Sequence, residues 1–269
     1  MPKISVIMGV YNCQSYESLE VSVKSIINQT FRDWEFIICN DGSTNNTLET
    51  LKKITELDSR IKIISYEKNR TLAGALNYCL EHATGDFIAR QDEDNDISTP
   101  DRLEKQLQFL EEHYEYDFVS SNCAVFDKNG LIGVWQTPEI VKVNDFFWNC
   151  PFVHAATLFR SEALRKVNGY RIAKETRRCE DYDLFMRMYA IGMKGYNIQE
   201  NFYHYKIYTT TNIVKYRPMK YRIDEAIVRY KGFKSMGILL RGIPYVLKPV
   251  IIGIIPQSIF KIIKRKTYK

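Results

Sequence analysis

Four apolar runs, each followed by apolar residues at helical spacing, fill the chain as far as Leu110. Lys3–Val10 (KISVIMGV) is nearly all apolar and β-branched, the composition of a strand buried on both faces. Leu19, Val23, Ile26 and Ile27 then mark a helix, and Glu35–Cys39 (EFIIC) a second strand. Leu48, Leu51 and Ile54 mark the next helix, Ile61–Ser65 a third strand, and Ala73–Ala83 a third helix. Asp86–Arg90 reads as the fourth strand, with Leu103, Leu107 and Leu110 striping the helix behind it. Such alternation predicts a doubly wound, mostly parallel sheet with helices on both faces, because a parallel crossover needs a helix-length return. The second half is less regular. Strands are expected at Phe118–Phe126 and His154–Phe159, and helices at Val141–Trp148, Ser161–Val167 and Asp181–Ile191. In the last of these, Leu184, Met188 and Ile191 face inward.

In an open α/β sheet, ligands bind at the carboxyl ends of the strands. Three such ends carry chemistry here. The first strand ends in Val10-Tyr11-Asn12, where a ring can stack on a base or simply pack. Asp41 follows the second in Asn40–Thr44 (NDGST), read as a turn and a helix cap; its carboxylate can accept from a ribose or base. Asp92, Glu93, Asp94 and Asp96 follow the fourth, ahead of a helix start at Thr99-Pro100-Asp101. Crowded carboxylates repel, and such hard oxygen donors suit Mg²⁺ or Mn²⁺ shared with substrate phosphates. Each motif alone has a plainer reading: a solvated loop, a turn, a strand end.

The 269 residues suffice for one large domain, or one domain with an appendage. The six cysteines contain no CxxC pair, so reduced, buried thiols and a cytosolic setting are expected, and the N-terminus shows no export signal. The net charge of +6 is unevenly placed: residues 226–269 hold ten Lys and Arg and no acid. Of 38 basic and 32 acidic residues, 28 and 32 then remain elsewhere, a balance of −4. Interleaved bases and aromatics are lacking outside this tail, so nucleic acid is not an expected partner. Pro244, Lys248, Pro249 and Pro256 interrupt its apolar stretches, which fall short of the ~18–20 residues needed to span a bilayer. Residues 216–269 are therefore read as a basic amphipathic helical tail beside a catalytic domain of residues 1–215. The tail is expected on an anionic membrane surface, with packing on the domain or homodimer formation as alternatives.

Together SVIMGVYN (5–12), NDGST (40–44), NRTLAGALN (69–77), ARQDEDNDISTPDRLEKQ (89–106), PFVHAATLFR (151–160) and EDYDLFMR (180–187) resemble family 2 glycosyltransferases in order and spacing, over about residues 3–210. The resemblance implies the GT-A fold and transfer of a sugar from a nucleotide-diphosphate donor, expected to be a UDP-sugar; a single base on the face opposite the leaving group implies inversion. The setting it implies is cell-surface polysaccharide synthesis, with a saccharide or lipid-linked saccharide as acceptor. It places Val10, Tyr11, Asp41, Asn69, Arg70 and Ala73 around the nucleotide, and Asp92, Glu93 and Asp94 at the ribose and diphosphate. Asp181 matches the general base. The acidic motif is one residue longer than the family's usual D-x-D-D-I-S, leaving Asp94, preferred, and Asp96 as metal ligands. Tyr208 stands where the family often has histidine, with His204 a possible substitute, and residues 174–178 are expected to be a mobile loop over the site. Two rival readings are a sugar-nucleotidyltransferase and a non-catalytic nucleotide-sugar-binding partner. The first would want a Gly-rich basic loop after the first strand, which Val10–Gln14 does not provide; Glu180-Asp181 argues against the second.

Overall fold

The computed structural model describes residues 1–207 and 217–254. The first half contributes β1 (Ile4–Val10), α1 (Tyr16–Ile27), β2 (Trp34–Asp41), α2 (Thr47–Thr55), β3 (Ile61–Tyr66), α3 (Thr71–His82), β4 (Phe87–Arg90), a two-residue β5 (Ile97–Ser98) and α4 (Arg102–Glu112). The second contributes β6 (Phe118–Asp127), β7 (Gly130–Trp135), β8 (Leu158–Arg160), α5 (Ser161–Lys166), α6 (Glu180–Ala190), β9 (Gly195–Lys206), α7 (Met219–Ser235) and α8 (Leu239–Ile254). One sheet runs β3-β2-β1-β4-β8-β6-β9-β5, with β7 paired to β6. Its first four strands are parallel; β8 is antiparallel to both neighbours, and β9 runs parallel to β6. The expected doubly wound, mixed architecture is present.

Period-two alternation sends each strand into two cores. Val6, Met8, Val10, Phe36 and Ile38 pack with Leu19, Val23, Leu51, Leu103 and Leu110 from α1, α2 and α4. Ile7, Ile37, Cys39 and Ile88 meet α3, α5 and α6 on the other face. That second core reaches into the C-terminal helices: Val228 and Phe233 are fully buried in it. Leaving either position as alanine would open a cavity, which is why α7 sits as part of the body and not as a loose arm.

Several local expectations shift. α2 is capped near Asn46, not within residues 40–44, and α4 begins at Arg102, after a turn through Pro100. His154–Ala156 is a single 3₁₀ turn that only then enters β8, and Ile191 lies 59% exposed beyond α6. β5 and the exposed β7 hairpin strand were not expected; each pairs with a long central strand, so partners far along the chain decide them. Residues 174–178 are tied down: Glu175 pairs with Arg171 (3.3 Å) and Lys231 (2.6 Å), and Thr176 is buried. α8 runs through Pro244 and Pro249, with Gly242 closing onto Phe233 and Phe147. Among the described residues, no helix is long and apolar enough to cross a membrane. The expected boundary at residue 215, Tyr208 and the basic cluster beyond Pro256 lie outside the described residues.

Candidate active site

Asp41, the last residue of β2, is 3% exposed and the centre of a hydrogen-bonded cluster. Tyr66 Oη and the Arg70 backbone N–H donate to its Oδ1 at 2.5 and 2.7 Å, and Asn69 Nδ2 donates to Oδ2 at 2.7 Å. This carboxylate is therefore held rigidly by β3 and the loop entering α3, with Oδ2 accepting one of these donors and Oδ1 two. Gly42 makes the approach possible. Its φ is +62°, and a Cβ there would sit 2.5 Å from the Asn69 backbone N. Thr71, β-branched with φ +70°, is strained at the first turn of α3, a cost of about 1–3 kcal/mol that functional sites tend to retain. The Arg70 guanidinium lies over the Tyr66 ring at 4.4 Å, and Tyr11 is half-exposed at the end of β1. Val10 and Ala73 are buried. Their side chains serve packing, so only their backbone can meet a ligand.

The acidic loop after β4 separates its carboxylates by task. Arg90, itself buried, pairs with Asp92 at 2.6 Å. Gln91 and Tyr203 brace the loop: Gln91 Nε2 donates to the Asp96 carbonyl (3.0 Å), and the Asp92 backbone N–H donates to Tyr203 Oη (3.1 Å). Glu93 accepts from the Tyr11 backbone N–H, and burial followed by Asp94 pushes its carboxyl up to about 8. Its Oε2 is buried without a hydrogen-bond partner. Asp94 is exposed at the loop's tip. Asp96 departs from expectation. It is fully buried beneath β9, accepting from Tyr203 Oη and the Lys206 N–H at 3.1 Å each, and burial raises it to about 8. It buttresses the loop and does not point with Asp94.

No three His, Cys, Asp or Glu side chains among the described residues converge as a ready cage. The site nevertheless fits a hard cation shared with phosphates, since that ion keeps few protein ligands. The partnerless Glu93 oxygen and the crowding of Asp92, Glu93 and Asp94 make this loop the place where such an ion would be held.

Asp92 also opens onto a cavity of about 1050 Å³, and Asp181 lines the same cavity. Asp181 occupies the first turn of α6, and its Oδ1 accepts the Tyr182 N–H at 2.7 Å. Burial raises its pKa despite those backbone donors, and Arg90 and Arg217 oppose the rise. Burial and Asp181 lift Glu180 to about 8, so Glu180 keeps its proton at neutral pH. Asp183 plays no part here: Arg171 and Arg187 clasp it at 2.6 and 2.7 Å. His154 lines the cavity with Nε2 2.8 Å from Tyr170 Oη, and burial holds it neutral. His204 is half-buried against Phe126 and outside the walls of this cavity, since alternation along β9 gives those walls Tyr203 and Tyr205.

Arg90, Tyr66 and Tyr203 were missed from sequence. One signal existed for Arg90, a charge closing an otherwise apolar strand, which burial permits only with a partner. The tyrosines left none.

The glycosyl transferase family 2 model matches residues 5–167. The chain is 41% identical over 259 residues to the putative glycosyltransferase EpsE of Bacillus subtilis, covering 96% of this chain and 91% of that one. It is 35% identical over 211 residues to the O-antigen biosynthesis glycosyltransferase WbnJ of Escherichia coli, covering 76% and 80%. S. aureus TarS 1-349 in complex with UDP-GlcNAc shares the fold with TM-score 0.67 at 18% identity, covering 91% of this chain and 73% of that one. The mixed, doubly wound sheet is the GT-A fold, and the chain belongs to glycosyl transferase family 2.

Proposed function

We propose that the protein is an inverting, metal-dependent glycosyltransferase that moves a sugar from a UDP-sugar to a hydroxyl of a saccharide or lipid-linked saccharide. The observation that carries this is the meeting on one cavity of Asp92, from the loop after β4, and Asp181, from the first turn of α6. Tyr11, Asp41, Asn69 and Arg70 hold the nucleotide, and Asp92 and Glu93 orient its ribose and diphosphate. Asp94 with Asp92 would hold Mg²⁺ or Mn²⁺, which would supply Lewis-acid stabilisation of the charge that develops on the departing UDP. Asp181 takes the proton of the acceptor hydroxyl as its oxygen bonds to the anomeric carbon. The bond from that carbon to the diphosphate breaks on the opposite face, giving inversion. O-antigen synthesis by WbnJ and UDP-GlcNAc binding by TarS support the setting and the donor. The test is thermal stability against UDP- and GDP-sugars, with and without Mn²⁺. A UDP-sugar at 100 times its Kd should add about 2.7 kcal/mol of stability; stabilisation by GDP-sugars alone would overturn the donor assignment.

The C-terminal region is proposed to rest on the cytoplasmic face of an anionic membrane. Leu240, Ile243, Leu247, Ile251 and Ile254 form an exposed apolar stripe along α8, flanked by exposed Lys234 and Arg241. Fewer charges serve this face than the sequence count implies, because Arg229 pairs with Glu225 and Lys231 with Glu175. Apolar insertion then carries more of the binding, with each remaining cation adding about 1 kcal/mol at the surface. The protein should co-sediment with phosphatidylglycerol vesicles at low salt, and L247E/I251E, both exposed, should abolish this without lowering Tm. Retained co-sedimentation in that variant would exclude α8 as the anchor.

A further inference from the structure

The cavity is larger than a donor sugar requires, and its remaining walls are of a different character. At about 1050 Å³ it slightly exceeds the roughly 300–1,000 Å³ usual for ligand pockets. Tyr11, Asp41 and Arg70 are not among its walls. Its lining includes the aromatic Trp135, Trp148 and Tyr245 and the polar Gln136, Thr137 and Asn149. Aromatic faces beside amide and hydroxyl groups are the chemistry that meets a pyranose, which has an apolar C–H face and a rim of hydroxyls.

The two tryptophans are exposed, at 44% and 64%, yet neither is loose. Trp135 stacks on Tyr205 with centroids 5.3 Å apart. Trp148 is held from the C-terminal helices. Lys248 Nζ lies 3.8 Å from its ring centroid and donates to its carbonyl at 2.7 Å. Arg229, 1% exposed, donates to the carbonyls of Phe147 and Trp148 at 2.9 and 3.2 Å. Tyr245 stacks on Phe147 at 5.0 Å and meets Trp148 edge-on at 6.0 Å. Two cations and a ring from α7 and α8 thus fix a loop whose indole faces the cavity. A large aromatic left exposed while its backbone is gripped is a preorganised contact surface, with its ordering cost met in the free protein.

We propose that Trp148, with Trp135, forms the acceptor-sugar subsite, and that Lys248 and Arg229 are positioning residues for it. The C-terminal helices therefore complete the active site as well as covering the core. This deepens the transferase reading and rests on it.

The probes are methyl glycosides of glucose, galactose and N-acetylglucosamine at millimolar concentration, read by intrinsic tryptophan fluorescence. Trp34 is buried beneath Arg60, so quenching reports Trp135 and Trp148. At least one glycoside should quench wild-type emission. In W148A its affinity should fall about tenfold, with UDP affinity unchanged. K248M should raise the acceptor KM and leave kcat unchanged, with W148F recovering most of the binding lost in W148A. Unaltered glycoside affinity in W148A overturns the subsite, as does the absence of quenching by every glycoside. Equal loss of UDP affinity would instead assign the loop to the donor. Failure of the donor reading shows separately, as the absence of stabilisation by any nucleotide sugar.

Discussion

Asp181→Asn is expected to reduce sugar transfer by about 10²–10⁴-fold, the usual contribution of a positioned general base. Asparagine keeps the volume and still accepts the Tyr182 N–H, but it cannot take a proton from the acceptor hydroxyl. At about 1.4 kcal/mol per tenfold, the loss corresponds to roughly 3–5.5 kcal/mol in the transition state. UDP affinity, measured by calorimetry, should be nearly unchanged, because Asp181 is apart from Tyr11, Asp41, Asn69 and Arg70, the residues proposed to hold the nucleotide. A variant retaining more than about a tenth of wild-type kcat would remove Asp181 from the base role. The pH profile gives an independent check. Burial raises the Asp181 carboxyl above its ordinary value near 3.9, and it acts only when deprotonated. Activity should therefore be present above the raised pKa and be lost as pH falls through it. Glu180→Gln should leave this acidic limb in place, because Glu180 is already neutral where Asp181 titrates.

The second large effect is expected at the acidic loop. Asp94→Ala should abolish the enhancement of UDP binding by Mn²⁺, since it removes the exposed carboxylate proposed to hold the cation. Asp96→Asn should act differently. Asp96 accepts from Tyr203 and from the Lys206 N–H, so its substitution should lower Tm while metal-dependent binding survives. Calorimetric titration of UDP with and without Mn²⁺ distinguishes the two. Metal enhancement preserved in D94A and lost in D96N would reverse the assignment.

The strand and helix pattern of the first 110 residues was legible because parallel strands buried on both faces must be continuously apolar. Their carboxyl ends located Tyr11, Asp41 and the acidic run by topology alone, and the family resemblance added Asp181 from the far half. What was not legible has one physical cause: it depends on which distant side chains satisfy a buried charge. Asp94 and Asp96 are equivalent in sequence, two residues apart in a run of acids. Only the pairing of β5 with β9 turns Asp96 toward Tyr203 and Lys206 and leaves Asp94 at the rim. Arg90 is a single charge in a strand until Asp92 closes on it at 2.6 Å.

The tail divides in the same way. Its basic composition, free of acids from residue 226 on, and its proline-broken apolar stretches belong to the sequence and predict a helical surface element. That Arg229 and Lys248 turn inward to grip the Trp148 loop was decided by tertiary packing. Composition counts charges but cannot say which of them find carbonyls and rings to hold. Local apolar spacing determined the sheet, its helices and the ends where ligands bind. Long-range contacts, whose partners lie a hundred or more residues away, decided which acid is buried, which stays at the loop's tip, and where the C-terminal helices pack.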